Sequence, residues 1–422
     1  MGNSPFSLVS SDTGDETVIT VRCPGEGTLP QRRSGEAVDR IDQLTARLGT
    51  LLNSDSCIDK LAFRRAMEGR AAASVKALAN DLDDYGAYCR SKRLTGLPAS
   101  EARIVHYIED CEARGFKPST VSRRLASLAL IHGFLGGISP TRSGVVREAM
   151  RGMLRRSGTA QHQAGPIRLG DGARARNASM TFTLDALIEA CESTPPGLRD
   201  AALLSLGYDT GLRVSELVGV RYDDIAVQED GSAHLRVPRS KTDRLGEGAY
   251  AWVSPETVRR LAAWIEEAGI SKGPLFRRVA VRRFKARKGS TATRIREIAW
   301  NYRGGEERLG MTSGRPARVE YAIGEHPLTP AAVRLIVKRT AQRAADLGLV
   351  CLSGQALDAE IATLSAHSLR VGLTQDLFAA GKDAGPIAQA LRWSSPTTAL
   401  RYGRHLARVS TATARHLRGR RS

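Results

Sequence analysis

Two short segments each place an arginine three positions from a residue that could orient it or move a proton. Arg213 precedes Glu216 by three positions in "TGLRVSELVGVRYDDI", and His367 precedes Arg370 by three in "SAHSLRVGLTQDLFAAG". Residues at this spacing lie on one face of a helix. Tyr402 follows His367 by 35 positions. A phenol, an imidazole and two guanidinium groups form a set that could attack a phosphodiester.

The two arginines suit a reaction at phosphorus. Attack on a phosphodiester builds negative charge on the non-bridging oxygens, and preorganised guanidinium groups stabilise such charge with hydrogen bonds that match phosphate geometry. Arg213 and Arg370 are far apart in sequence and could bind one phosphate from two sides. Glu216 is then expected to orient Arg213 rather than to touch the phosphate.

The other residues supply a nucleophile and its neighbours. Tyr402 is the expected nucleophile, and because a phenol is weak at neutral pH it needs a positive field and a base. His367 could accept the tyrosine proton or donate to the phosphate. Trp393, 26 positions after His367, offers an indole N–H donor and a large face for packing. Each residue alone has an ordinary structural explanation, but the order of all of them along the chain favours a catalytic role.

This ordered set resembles the signature of the tyrosine recombinases, over about residues 181–422. Within that family it is most similar to stand-alone members that place a tryptophan where many relatives place a second histidine. The helical segment "FKPSTVSRRLASLALIHGFLG" resembles their core-binding domain less specifically. Residues 1–40 and about 277–325 match nothing in the family pattern and are interpreted as an extension and a basic insertion.

The resemblance implies an enzyme that cuts and rejoins DNA at paired inverted-repeat sites. Its intermediate would be a 3′-phosphotyrosine with a free 5′-hydroxyl, and it would use no metal, cofactor or ATP. The resemblance also assigns the proton for the leaving oxygen to the lysine of a β-hairpin, which is Lys241 in "RSKTDR". Arg239 and Arg244 are nearby competitors, and an exposed hairpin lysine is the ordinary alternative.

Two helices are expected to contact the DNA by the same resemblance. They are "STVSRRLASL" in the N-terminal half and "LTPAAVRLIVKR" in the C-terminal half. The candidate contact residues are Ser119, Arg123, Arg124, Thr329, Arg334 and Lys338. A solvated helix face is the competing explanation for each. The C-terminal tail "RVSTATARHLRGRRS" could pack into a neighbouring protomer, giving a homotetramer on two DNA sites with a dimer on each, or fold back on its own chain.

The charge of the chain fits a polyanionic partner. Among 422 residues, 63 Lys and Arg against 44 Asp and Glu give a formal net charge of +19. Excess charge of this size disfavours the compact state, so a merely solubilising role explains it less well than binding to a phosphate backbone. The partner expected from charge and resemblance is double-stranded DNA.

Other classes of protein are disfavoured by what the sequence lacks. It contains no apolar run of about 18 residues, and its first 20 residues do not form a secretory signal. The six cysteines are scattered without metal-ligand spacing, which predicts reduced thiols, no structural zinc and no disulfide framework. We therefore expect a cytoplasmic, DNA-associated protein encoded by a bacterium, phage or plasmid, with no membrane partner.

Hydrophobic periodicity predicts a mainly α, two-domain fold. Apolar residues at helical spacing indicate a helical bundle at 41–158, which by the resemblance is a core-binding domain, after a region at 1–40 that is disordered or an extension. Residues 159–180 are predicted to be a linker whose Arg168 could either lie on phosphates or be solvated. A mostly helical catalytic domain is expected at 181–422, with a small β-hairpin around residues 234–253.

Three rival functions remain at this stage. An integrase or Xer-type recombinase that needs accessory proteins is the nearest. A non-catalytic, sequence-specific DNA-binding protein would keep the DNA grip without cleavage. An RNA-binding basic protein would explain the charge but not the order of Arg, His, Arg and Tyr.

Overall fold

The computed structural model divides into two compact units, one of Gln31–His162 and one that joins Met1–Pro30 to Gln163–Ser422. Both are mainly helical and the second contains small sheets, which confirms the predicted fold class. The structure describes residues 18–23, 40–53, 56–158, 163–170, 181–238, 248–289, 293–294, 308–309 and 314–403.

The unit of residues 31–162 is a helical bundle. Its helices are α1 (Arg40–Leu51), α2 (Lys60–Glu68), α3 (Ala72–Ser91), α4 (Glu101–Ala113), α5 (Pro118–Phe134) and α6 (Gly144–Ser157). Their apolar faces bury one core, in which Phe63, Tyr85 and Tyr107 are fully enclosed. Burial of such large aromatic side chains is the main stabilising contribution of this core.

Helices α4 and α5 of this unit begin in different ways. Ser100 caps α4 by accepting a hydrogen bond from the Arg103 amide at 3.3 Å, and Gly115 after this helix has a φ of +76°. Helix α5 begins at Pro118, with Lys117 at the N-cap. Proline is favoured at a first helical position because its fixed φ suits the helix.

The second unit contains the remaining elements. Its helices are α7 (Leu184–Glu189), α8 (Pro195–Thr210), α9 (Val214–Leu217), α10 (Pro255–Glu267), α11 (Pro330–Asp346), α12 (Gly354–Thr363), α13 (His367–Ala379), α14 (Ala384–Ala390) and α15 (Pro396–Gly403). Its strands are β1 (Val18–Arg22), β2 (Ile225–Val227), β3 (Ala233–Val237), β4 (Ala249–Val253), β5 (Arg277–Phe284), β6 (Thr293–Arg294), β7 (Arg308–Leu309) and β8 (Arg318–Pro327). Ser254 caps α10 by accepting a hydrogen bond from the Thr257 amide, and Pro255 opens the helix.

The predicted hairpin is present and has a third strand. Strands β3 and β4 pair antiparallel, with Leu235 opposite Ala251, and β2 pairs with the other edge of β3. Strand β3 alternates buried and exposed residues, as expected of a sheet with one face on the core. The loop that joins β3 to β4, which carries Lys241, lies outside the described residues.

A second sheet forms where the sequence indicated only loosely ordered segments. The basic segment that opens the insertion is strand β5, which pairs antiparallel with β8, and β1 from the N-terminal extension pairs parallel with β8. Tyr321 and Ile323 of β8 are buried on one face of this sheet. The extension and the basic insertion therefore contribute strands to one sheet, at residues 18–22, 277–284 and 318–327.

Residues 163–170, at the start of the second unit's long segment, pack against its helices and do not form a free linker. The Ile167 side chain is fully buried, and its amide donates to the Ser368 carbonyl at 3.1 Å. Arg168 is paired with Asp376 of α13 at 2.5 Å. The prediction of a linker is therefore wrong for this part of the chain, which packs against a helix. The same aspartate accepts from the Tyr208 hydroxyl and from the Leu169 amide. The segment thus packs beside the helix that begins with His367.

We predict that the close approach of this segment to α13 depends on Gly372. A Cβ atom there would lie 1.7 Å from the Ile167 carbonyl oxygen, which requires backbone movement. Gly372→Ala should lower the free energy of unfolding by about 3 kcal/mol, the upper part of the range for overpacking. The urea midpoint of unfolding measures this effect.

The control for that prediction is Gly385→Ala in α14. A Cβ at Gly385 meets nothing within 4 Å, so this variant should be as stable as the unmodified protein or up to about 1 kcal/mol more stable. An unchanged midpoint for Gly372→Ala would contradict the packing of residues 163–170 described above.

Candidate active site

Arg370 lies at the centre of the candidate site. It is on the first turn of α13 and is only 1% exposed. Its Nη1 donates to the Gly211 carbonyl at 2.6 Å, and its Nη2 donates to the Leu391 carbonyl at 2.5 Å. Gly211 ends α8 with a φ of +53°, and a Cβ there would meet Leu391 Cδ2 at 2.3 Å. Glycine therefore allows two chain turns to approach each other, and Arg370 joins them.

Arg213 and Glu216 form the ion pair that their spacing predicts. The Arg213 Nη1 donates to Glu216 Oε1 at 2.8 Å, and the Arg213 amide donates to Glu216 Oε2 at 2.9 Å. Glu216 is nearly buried, whereas the Arg213 side chain keeps 22% of its surface exposed. The carboxylate thus fixes the backbone and side chain of Arg213 at the start of α9, and part of the guanidinium remains available to a ligand.

His367, Trp393 and Tyr402 are in direct contact. The Tyr402 hydroxyl lies 2.8 Å from His367 Nε2. The Trp393 and Tyr402 rings stack with centroids 5.1 Å apart and an interplanar angle of 6°. The Arg370 guanidinium carbon lies 4.8 Å from the centroid of the Trp393 ring. The structure therefore brings together residues from α13, α15 and the turn between α14 and α15.

The surroundings keep Tyr402 protonated and His367 neutral in the absence of a ligand. Burial raises the pKa of the Tyr402 phenol, although Arg370, Arg213 and Arg401 oppose this rise. His367 is partly exposed to solvent. Burial of its ring, together with repulsion from Arg370 and Arg213, nevertheless lowers the pKa of the imidazole. A neutral imidazole at hydrogen-bond distance from a phenol can accept its proton.

The charge of Arg370 persists in spite of its burial. Desolvation, reinforced by repulsion from Arg213 and Arg392, lowers the pKa of Arg370 to about 10, which leaves the guanidinium protonated at neutral pH. Positive groups gathered in a desolvated place attract an anion strongly, because the low local dielectric strengthens their field. The arrangement can therefore bind a phosphate beside a protonated phenol and a neutral imidazole.

One of the predicted DNA contacts in the helical unit is not available to DNA. Arg124 is 7% exposed, its Nη1 pairs with Asp84 at 2.8 Å, and its guanidinium lies over the Phe116 ring at 3.9 Å. The prediction that Arg124 contacts DNA is therefore wrong. Adjacent residues of a helix point in different directions, so one can be exposed while the next is buried. Arg123 has an exposed side chain tied to Asp81 at 2.5 Å, and Ser119 is exposed near the start of α5.

The contact residues predicted on α11 have distinct surroundings. Thr329 caps the helix by accepting from the Ala332 amide at 3.2 Å. Lys338 is half-buried, with its Nζ 3.5 Å from the Ala362 carbonyl. Arg334 is exposed, next to Leu335 with 68% exposure. Arg334 remains the more accessible cation of the two.

Arg392, which was not predicted from the sequence, lies beside the catalytic candidates. Its Nη2 donates to the Thr210 carbonyl at 3.0 Å, one residue from the Gly211 carbonyl that Arg370 contacts. Its position immediately before Trp393 was the available signal, since a further arginine adjacent to a candidate residue can share its site.

The described residues contain neither a metal-binding cluster nor a membrane-spanning helix. Over that part of the chain, no group of three or more His, Cys, Asp or Glu side chains is arranged to hold a metal ion. Within the same residues, no helix has the length and apolar character needed to cross a membrane. The tail after residue 403, including the predicted protomer contact, lies outside the described residues.

Comparison with known proteins relates part of the chain to a known family. Residues 181–299 match the model of the phage integrase family. An integrase/recombinase XerD homologue of Selenomonas ruminantium is 35% identical over 225 residues, which cover 51% of this chain and 62% of that protein. Residues 181–299 thus match the phage integrase family, in agreement with the predicted resemblance to tyrosine recombinases. The region in common spans less than two thirds of the Selenomonas protein.

Within the family, the likeness to a stand-alone phage recombinase is more distant than the motif spacing indicated. Recombinase Cre of Escherichia phage P1 is 25% identical over 347 residues, which cover 81% of this chain and 87% of Cre. Among solved structures, XerH site-specific recombinase bound to a palindromic difH substrate covers 88% of this chain and 94% of its own, with 15% identity and a TM-score of 0.47.

We predict that burial, reinforced by repulsion from Arg370 and Arg213, holds the pKa of His367 below 6.5. Lowering the pH through this pKa protonates the imidazole, so the neutral base persists to a lower pH than in an unperturbed histidine. Arg213→Gln should move the midpoint upward, because one repelling cation is lost. NMR titration of labelled histidine rings, assigned with His367→Gln, measures the midpoint.

The matched control for that titration is Arg259→Gln. Arg259 is an exposed arginine that is also paired with a glutamate three positions away, and it lies on α10. It should leave the His367 midpoint unchanged. A midpoint at or above 6.5 in the unmodified protein would contradict the electrostatics of the site.

Proposed function

We propose that this protein is a site-specific DNA recombinase in which Tyr402 is the nucleophile. The proposal depends chiefly on one observation, the 2.8 Å contact between the Tyr402 hydroxyl and His367 Nε2 beside the buried Arg370. The match of residues 181–299 to the phage integrase family supports it. The substrate is a DNA phosphodiester within a pair of inverted-repeat sites.

The first step is attack of the Tyr402 oxygen on phosphorus. The phenol proton passes to His367 Nε2, and the new bond joins the tyrosine oxygen to the 3′-phosphate. Arg370 and the exposed part of Arg213 stabilise the charge that develops on the non-bridging oxygens. The transition state carries more negative charge than the bound phosphodiester, and this charge also offsets the mutual repulsion of the two arginines. The contacts of Arg370 and Arg213 with the phosphate oxygens are therefore strongest in the transition state.

The second step releases the 5′-oxygen, and its reversal rejoins the strand. Lys241 is proposed to donate the proton to the leaving oxygen, in line with the family pattern. Because the phosphotyrosine keeps the energy of the broken bond, attack by a 5′-hydroxyl of the partner DNA restores a phosphodiester and needs no ATP. Trp393 holds the nucleophile by stacking on it, and Glu216 holds Arg213.

The DNA is proposed to be bound by both units. Arg123 and Ser119 on α5 and Arg334, Lys338 and Thr329 on α11 are the proposed contacts, whereas Arg124 is assigned to the interior of the bundle. Direct guanine contacts by arginine would give sequence specificity, and contacts to phosphate would give affinity that falls with salt. Strand exchange requires two sites, which fits a homotetramer with one dimer on each site.

We predict that Tyr402→Phe abolishes covalent attachment to DNA and leaves DNA binding within about twofold. The substrate is a nicked duplex with inverted repeats found beside the gene. Cleavage releases a short fragment that carries the free 5′-hydroxyl, and because this fragment diffuses away, the strand cannot be rejoined and the covalent complex is trapped. The reaction contains EDTA, and a denaturing gel detects the protein–DNA adduct. Removal of the hydroxyl removes the nucleophile and leaves the ring free to stack on Trp393.

Tyr222→Phe is the control, since it removes a phenol hydroxyl from an exposed side chain at the start of a short 3-10 helix, 180 positions before Tyr402 in sequence. It should form the adduct at the normal rate. An adduct with Tyr402→Phe would remove Tyr402 from its role. Tight binding without any adduct in the unmodified protein would instead favour a DNA-binding protein that only occupies its site, or a recombinase that requires an accessory protein.

A further inference from the structure

Arg392 adopts a backbone conformation that is unfavourable for its residue type. Its φ is +54°, in the left-handed region where a side chain crowds the backbone and glycine is preferred. Among the described residues, the non-glycine positions with positive φ are Arg93 and Arg392. Strained backbone at a site persists when surrounding contacts enforce it, and it often marks a function.

The Arg392 side chain adds a second unfavourable feature and a specific tether. Its Nη2 donates to the Thr210 carbonyl at 3.0 Å, and its Nη1 lies 3.4 Å from the Ala390 carbonyl. Its Nε is buried and makes no hydrogen bond. A buried donor without an acceptor opposes folding. The side chain therefore crosses from the turn after α14 to the last residue of α8 despite a cost.

The charge of Arg392 is a third feature that opposes stability. Desolvation lowers the pKa of this guanidinium, Glu216 opposes that change, and Arg213 reinforces it. Arg392 and Arg213 in turn lower the pKa of Arg370. A residue chosen for stability alone would not place another cation here, because glycine would relieve the strain and the repulsion together.

The tether has a direct relation to Trp393. The Trp393 amide donates to the Ala388 carbonyl at 2.8 Å, and its ring stacks on Tyr402. Arg370 fixes the Leu391 carbonyl to α13 and to Gly211, so the turn is held immediately before Arg392. The bond from Arg392 to Thr210 holds the same turn at the next residue. Without it, the turn would keep the Arg370 contact and its own backbone bonds to α14, but it would lose its side-chain bond to the end of α8.

We propose that Arg392 is a positioning residue of the active site, which ties the turn before Trp393 to the end of α8 and so keeps Trp393 stacked on the Tyr402 nucleophile. This inference rests on the proposed function, because its effect on cleavage requires Tyr402 to attack DNA. It adds a residue that acts through Trp393 and does not itself touch the reacting atoms.

Arg392→Gly separates this role from folding, since glycine suits the local φ. The urea midpoint should be unchanged or higher, because strain and repulsion are relieved. Hydrogen exchange of the amides in residues 391–395 should become faster as the tether is lost. Single-turnover cleavage of the nicked duplex should slow about 10- to 100-fold, with unchanged DNA affinity, as expected for a misplaced nucleophile.

Two further variants sharpen the test. Arg93→Gly relieves the same kind of backbone strain in the other unit, at an exposed residue, and should alter neither local exchange at 391–395 nor cleavage. Arg392→Lys keeps the positive charge but lacks the planar guanidinium that reaches two carbonyls, so it should remain slow. Normal cleavage by Arg392→Lys would assign the effect to charge and overturn the positioning role.

The outcomes separate this inference from the proposed function. If the unmodified protein forms the adduct and Arg392→Gly forms it equally fast, the positioning role is wrong and the recombinase function stands. Faster exchange with normal cleavage would likewise overturn the role, since the tether would be purely structural. If the unmodified protein forms no adduct on any repeat, the proposed function fails, and unchanged exchange in Arg392→Gly would show independently that the tether is absent.

Discussion

The site depends on the buried guanidinium of Arg370. It donates to one carbonyl at the end of α8 and to another at the end of α14, so a single side chain on α13 joins three segments that are distant in sequence. Loss of this group would leave two buried carbonyls without their donor, which opposes folding. The same cation is therefore both a structural link and a source of positive charge, and the two functions cannot be separated at this position.

The resting site favours the binding of an anion over premature chemistry. Arg370, Arg213 and Arg392 repel one another, and Glu216 neutralises only part of their charge. Burial keeps the Tyr402 phenol protonated in spite of these cations, while His367 stays neutral beside it. A bound phosphate would relieve this repulsion, and the base that accepts the phenol proton is already in place. Pre-positioning of this kind lowers the barrier by removing the cost of orienting the groups during reaction.

The sequence predicted the catalytic candidates because their chemistry and order are local facts. The pair Arg213–Glu216, the hairpin and the caps at Ser100 and Ser254 follow from spacing and residue type. Long-range pairing does not follow from such patterns, so strand β1 and its partner β8, some 300 residues away, were missed. Arg124 was misassigned because periodicity does not show that Asp84 and Phe116 enclose it. Arg392 was missed because its left-handed backbone and its bond to Thr210 exist only in the folded chain.

The most direct test of the account is the location of the covalent bond. The trapped protein–DNA adduct would be digested with nuclease and trypsin, which cuts after Arg401 and Arg404, and the modified peptide would be sequenced by mass spectrometry. The account predicts a nucleotide joined through its 3′-phosphate to Tyr402, with His367 unmodified. A nucleotide attached to another side chain, or joined through its 5′-phosphate, would contradict it.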